Sequence, residues 1–295
     1  MDAEERARRF AREVERQQAN LPRIQKNTLQ EVVRQLEQAE RHVTELLQSK
    51  PTDSAQRRLR ALRREVERVM EDFRQASTSS AIAGDQAAWS AGQQTIVAPF
   101  DAAGVSLSGQ RIDARALMAS QQFLTTRIEA ISIRGLNRLN SALMQNVAGV
   151  ESLSDTITTV QRILGGAPRA DAMRVVYTEI GRVHSIAQNE RLQEAGHIVP
   201  GLRKRWLKSG KRHPRIDHVR AHNQIVRFDE PFLVAGERLM FPRDPSGSAG
   251  NTINCGCLSA PVVDGSSFGL GSVRIDDDGA ARIESRAGGM IRQLP

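Results

Sequence analysis

The sequence is poor in cysteine and in aromatic residues, and it has no long apolar run. Its two cysteines, Cys255 and Cys257, are separated by one residue, so no disulfide framework can be drawn and the chain suits a reducing compartment. Aromatic residues make up 4% of the chain, with a single tyrosine and two tryptophans. No apolar stretch approaches the roughly 18 residues of a membrane span. The opening Met1-Asp2-Ala3-Glu4-Glu5-Arg6 lacks the apolar core of a signal peptide. These absences lead us to expect a soluble protein with no export signal and no membrane partner. What the chain has is charge: 42 Lys and Arg against 34 Asp and Glu, a formal +8 with a pI near 10.4. Such a balance draws a protein to polyanions without choosing between nucleic acid and an acidic protein face.

A length of 295 residues leaves room for two domains, or for one domain with extended helical parts. Leu29, Val32, Leu36, Ala39, Val43 and Leu46 alternate by three and four and predict a helix over 23–48. Lys50-Pro51-Thr52-Asp53 should break it, and Leu59, Leu62, Val66, Val69 and Phe73 resume the stripe. Two such stripes predict a helical hairpin or coiled coil over 1–75, its narrow seam completed by self-association or by a partner. Ser77-Thr78-Ser79-Ser80, scattered Gly and Pro99 suggest a linker or irregular arm over 76–111. A helical region is expected over 112–166, starting at Asp113, with a second helix capped by Ser152 and ending at Gly165-Gly166. Another helix should run from about Pro168 to Leu192 with Val176, Ile180, Val183 and Ala187 inward. Beyond Gly196 the pattern shifts to short β-type runs: a strand at 203–208, a helical turn at 216–222, and a hairpin over 232–241 turning at Ala235-Gly236. The fold class is therefore mainly α with a small α+β domain towards the C-terminus, spanning 167–262, followed by a tail over 263–295.

The most specific residues follow one another in that small domain. They are Trp206, then Arg220 and His222 within Asp217-His218-Val219-Arg220-Ala221-His222, then Pro242-Arg243-Asp244-Pro245, then Asn254-Cys255-Gly256-Cys257. In this order they resemble the Mu-F-like phage head morphogenesis proteins, which carry a Trp segment, an Arg-x-His unit, a Pro-Gly-Asp-Pro-like loop and an Asn-Cys-Arg-Cys end. Tyr177-Thr178-Glu179 and Asn189 stand where that family has an Arg-Thr-Glu helix. The resemblance implies a minor capsid protein of the virion head or neck, present in the host cytoplasm during assembly. It implies the portal protein and capsid proteins as partners and no enzymatic activity.

Three other readings compete for the same residues. Cys255, Cys257, His218 and His222 are metal-ligand types, but structural zinc knuckles use Cys-x2–4-Cys, and the tighter Cys-x-Cys spacing argues against a shared ion. His222 as base and Cys255 as nucleophile would suit a cryptic transferase or hydrolase, although no oxyanion-forming motif accompanies them. The one-sided basic run Arg203, Lys204, Arg205, Lys208, Lys211, Arg212 and Arg215 is a candidate surface for double-stranded DNA or an acidic protein. Trp206, its only aromatic, offers no stacking platform and reads as a core anchor. Arg220 and His222 read as organisers of the 242–254 loop, with Asp244 and Asn254 forming its turns, one thiol packing in a small core and the other facing a loop. No cofactor is implied.

Overall fold

A computed structural model describes residues 1–49, 55–107, 114–263, 272–275 and 281–284. The expected break at 50–53 and the cap at Asp113 lie outside these. Helix α1, Ala3–Gln18, opens on Asp2, whose carboxylate accepts the Glu5 amide at 2.8 Å, satisfying a donor that the first turn leaves unpaired. Next come α2 (Asn20–Gln48), α3 (Ala55–Ala102), α4 (Arg115–Val147), α5 (Leu153–Gly165) and α6 (Ala167–Ile198). Ser152 caps α5 through the Asp155 amide at 3.1 Å. In α6, Val176, Ile180, Val183 and Ala187 are buried. No described helix is long and apolar enough to cross a membrane. The shift to strands after Gly196 is also observed, so the fold is mainly α with a small antiparallel region near the C-terminus.

One expectation fails outright. The segment 76–111, read as a linker or irregular arm, is helical as far as Ala102. Its inward positions Ser77, Ala81, Gly84, Ala88, Gly92 and Ile96 keep the helical spacing of three and four, but with side chains too small to register as an apolar stripe. The small residues mark close packing rather than a loop. A Cβ at Gly84 would overlap the Thr28 side chain, and one at Gly92 would overlap the backbone carbonyl of His184. Pro99 lies in the last turn of the helix, where the amide it lacks would have donated to the Thr95 carbonyl.

The chain divides into two compact units. The first comprises 25–84 and 119–176. Its core joins Val32, Leu36, Ala39, Val43 and Leu47 of α2 to Leu62, Val66, Val69, Met70 and Phe73 of α3. The two stripes therefore meet as a hairpin. Their seam is completed within the chain by Ile131, Leu139 and Leu143 of α4, Val160 and Leu164 of α5 and Ala172 of α6, so no second copy is needed to cover it. The second unit comprises 1–24, 85–118 and 177–295. One of its cores sets Phe10 and Val14 of α1 against Ile96 and Phe100 of α3 and Leu192, Ala195 and Ile198 of α6. Phe10 and Phe100 meet edge to face, 5.0 Å between centroids.

Two stability outcomes are expected. Leu139→Ala should destabilise by about 2–5 kcal/mol, as a fully buried leucine leaves a cavity. Gly92→Ala should also destabilise, by about 1–3 kcal/mol, although alanine is the better helix former by about 1 kcal/mol, because a backbone carbonyl cannot yield to the new methyl. Urea unfolding of each variant measures both, and a stabilised Gly92→Ala would refute the close packing.

Candidate functional site: a buried cysteine–histidine–arginine cluster

In the second unit, β1 (Arg203–Leu207) is the centre of a three-stranded antiparallel sheet, between β2 (Ile225–Arg227) and β5 (Leu258–Val262). The short helix α7 (Ile216–Arg220) precedes β2. A hairpin of β3 (Phe232–Val234) and β4 (Glu237–Leu239) turns at Ala235 and Gly236, both at positive φ. The single turn α8 (Ala249–Thr252) lies within the loop expected over 242–254. Strands β6 (Ser272–Ile275) and β7 (Ala281–Glu284) pair within the tail.

Period-two alternation along β1 decides which of its basic residues face solvent. Arg203 is exposed, Lys204 buried, Arg205 half-buried and Trp206 buried. Lys204 extends inward to donate to the Met240 carbonyl at 2.8 Å, its ammonium 5.3 Å from the Phe232 ring centre. Burial pushes its pKa down to about 8 against the opposing pull of Asp229, Asp244 and Glu230. Lys211 donates to the Asn254 carbonyl at 2.5 Å and to its Oδ1 at 2.9 Å, and Arg215 donates to the Ile253 carbonyl at 2.7 Å. Of the seven basic side chains, Lys204 is buried and Arg205 half-buried, and Lys204, Lys211 and Arg215 hold backbone carbonyls. Arg203, Lys208, Lys211, Arg212 and Arg215 are exposed.

Trp206 is fully buried with Phe232, Val234, Leu239, Ala221 and both cysteines, and meets Phe232 and His218 edge to face at 5.2 and 5.8 Å. Arg220 and His222 do not organise the 242–254 loop. Arg220 is exposed and pairs with Asp217 at 3.1 Å, while His222 Nδ1 accepts the Lys208 amide at 3.3 Å. The loop is held instead by Lys211 and Arg215, which reach the carbonyls of Asn254 and Ile253, and by its own Arg243, which reaches the Cys257 carbonyl. Asp244 accepts from the Met240 amide at 2.7 Å and from the Ser246 amide at 2.9 Å. The Asn254 amide donates to Thr178 Oγ1 of α6 at 2.8 Å, which gives Thr178 a place in the site.

The expectation that the Cys-x-Cys spacing keeps the two thiols from a shared centre is overturned. Cys255 and Cys257 precede β5, and Asn254 takes a φ of 54°, so the chain curls and both thiols turn to His218. The Nδ1 atom of His218 lies 3.3 Å from Cys257 Sγ and 3.5 Å from Cys255 Sγ. Its Nε2 atom lies 3.2 Å from Asn251 Oδ1. An oxygen can only accept, so Nε2 carries the proton and Nδ1 turns to the sulfurs. The histidine that meets the thiols is therefore His218, not His222.

Arg243 completes the cluster. It is 1% exposed, takes a φ of 70°, and donates through Nη1 to the Cys257 carbonyl at 2.7 Å. Its carbonyl accepts from Arg182 of α6 at 3.3 Å, and Arg182 pairs with Glu179. A Cβ at Gly181 would overlap the guanidinium, so glycine in α6 makes its room. The Nε and Nη2 atoms of Arg243 have no hydrogen-bond acceptor among the described residues. The anion facing them is sulfur: a hydrogen bond from Cys257, then His218 and the charge of Arg243, hold the Cys255 thiol well below the usual thiol range despite desolvation, and the thiolate so formed pushes Cys257 up. Burial lowers the pKa of Arg243 and the two sulfurs oppose that shift. The sequence pattern alone did not single out this arginine. Its signal was an Arg in the loop position where the resembled pattern has glycine.

The architecture defines a helical chain bearing a small strand-rich subdomain with a buried Cys-x-Cys and histidine core, held on a long helix. Residues 137–260 match the family described as Phage Mu protein F like protein, and the chain carries a Mu-F-like region there. It is 33% identical over 122 residues to "Uncharacterized protein YqbB" of Bacillus subtilis, covering 39% of each chain. It is 33% identical over 94 residues to "NAD(+)--arginine ADP-ribosyltransferase EFV" of Enterococcus faecalis, covering 32% of this chain and 19% of that protein. The chain thus spans well under half the length of these relatives. No solved structure matches.

His184 of α6 supplies a pH test. It is fully buried and neither ring nitrogen has a hydrogen-bond partner among the described residues. Desolvation first, and the Arg243 charge second, push its pKa from 6.5 to about 3. Between these values the unfolded chain binds a proton that the folded one refuses, so this contribution is complete above pH 6.5 and is lost as pH falls towards 3. The slope is about 1.4 kcal/mol per pH unit. His184→Met should flatten the acid limb of a plot of unfolding free energy against pH. An identical slope would contradict a buried neutral imidazole.

Proposed function

We propose that this protein is a minor head protein of a phage, acting in head morphogenesis at the portal or inner capsid and aiding assembly and genome packaging or ejection. The observation that carries the reading is the Mu-F-like match over 137–260, whose subdomain is built around buried, structural contacts. Its partners are other head proteins, with the portal protein as the direct one, and its place is the virion head or neck after assembly in the host cytoplasm. The transferase activity in the name of the Enterococcus protein is a property of a chain of which this one matches 19%, and the structural reading is preferred. Docking on protein is likewise preferred to DNA binding, because Lys204, Lys211 and Arg215 are committed to carbonyls, Arg205 is half-buried, and Arg203, Lys208 and Arg212 are the exposed members of the run without such a tie among the described residues.

Two measurements test this. A phage with a nonsense codon in this gene should yield few filled heads, with recovery on complementation; normal assembly, packaging and titre would contradict the proposal. Replacing Arg203, Lys208 and Arg212 by Gln should reduce incorporation into heads while leaving duplex DNA affinity unchanged. If the change instead weakens DNA binding and flattens its salt dependence by about one unit for each phosphate no longer neutralised, the DNA-binding reading takes its place.

A further inference from the structure

The cluster of His218, Cys255 and Cys257 contains three groups that ligate soft metals, with donor atoms all within 4.8 Å of one another. For zinc, with bonds of about 2.0 Å to nitrogen and 2.3 Å to sulfur, a tetrahedron separates nitrogen from sulfur by roughly 3.5 Å. The observed separations are 3.3 and 3.5 Å. We propose that His218 Nδ1, Cys255 Sγ and Cys257 Sγ bind one Zn2+ ion per chain, with a fourth position open to the adjoining pocket.

Three further features favour a metal over a plain hydrogen-bonded cluster. Asn251 engages the distal nitrogen of His218 and fixes the ring with Nδ1 towards the sulfurs, the orienting contact that metal-ligating histidines characteristically have. Asn251 is itself held, its Nδ2 reaching the Val234 carbonyl at 3.5 Å. The cationic surroundings of Arg243, Lys211 and Arg215 suit thiolates, the form in which cysteine ligates, and two thiolates cancel the charge of the ion. The thiols and imidazole also line a pocket of about 150 Å³ together with Lys211, His213, Pro214, Arg215 and Asn254. A pocket that size admits a water or a small anion as fourth ligand, and its basic lining favours the anion. Binding through Nδ1 would displace the remaining thiol protons to solvent, leave the Nε2 proton hydrogen-bonded to Asn251 Oδ1 and clamp the 254–257 turn to α7. This inference concerns the chain's own cluster and is independent of the role in head assembly.

Cobalt(II) serves as a spectroscopic stand-in for zinc. Titrated into the reduced full-length protein, it should give a thiolate-to-cobalt charge-transfer band and the intense visible bands of a tetrahedral site, saturating at one ion per chain. Equimolar Zn2+ should then bleach them. Cys255→Ser and Cys257→Ser should each abolish the charge-transfer band or cut affinity at least tenfold, with circular dichroism confirming their fold, and zinc should raise the melting temperature of the wild type alone. The wild-type spectrum decides even if a variant fails to fold. A spectrum that stays that of hydrated cobalt at excess metal, or a band of unchanged intensity and affinity in both folded cysteine variants, would overturn the site.

Discussion

Arg243 is a guanidinium buried in the centre of the strand-rich region, with no carboxylate hydrogen-bonded to it among the described residues, and the surrounding structure is arranged to tolerate it. Removing such a charge from water is expensive unless it is paired and hydrogen-bonded. The compensation comes from the Cys257 carbonyl and from a thiol pair sharing one negative charge. Gly181 clears the space on α6, and the left-handed backbone at residue 243 aims the side chain. Each arrangement depends on the others: a larger residue at 181 closes the space, and a neutral pair of thiols leaves the guanidinium without an anion.

The same interaction explains how so small a sheet is held. Its strands have three to five residues, too short to be stable alone. They gain support from the Trp206, Phe232 and Leu239 core on one side and from polar ties to α6 on the other. Gln188 reaches the Ser259 carbonyl at 2.9 Å, Thr178 accepts the Asn254 amide, and Arg182 reaches the Arg243 carbonyl. The family match begins at residue 137 and so includes α6, as these ties require.

Legibility in the sequence followed side-chain size and chemistry. The Leu and Val stripes of α2 and α3, the Ser152 cap and the Ala235-Gly236 hairpin were readable because each carries a local physical signature. The second half of α3 was not, because its inward face is Ser, Ala and Gly, which turn propensities and close helix packing both favour. Within the site, Cys255 and Cys257 were visible as chemistry but misplaced in geometry. On an extended strand two residues at i and i+2 share a face but sit about 7 Å apart, and the turn at Asn254, with its positive φ, is what brings both thiols to one histidine. Choosing His218 over His222 likewise required knowing that α7 ends at Arg220. Lys204 looked like surface charge but is buried, and the ties of Lys211 and Arg215 were not legible, because sequence shows that a residue is basic, not which carbonyl it reaches.

Hydrogen–deuterium exchange on the full chain with Arg243→Met tests the dependence on Arg243 most directly. The account predicts that amides of 203–207 and 258–262 and those of 178–188 in α6 lose protection together, while amides within 25–84 and 119–165 keep theirs. Unchanged protection in both the sheet and α6 would show that the buried arginine is incidental to the fold.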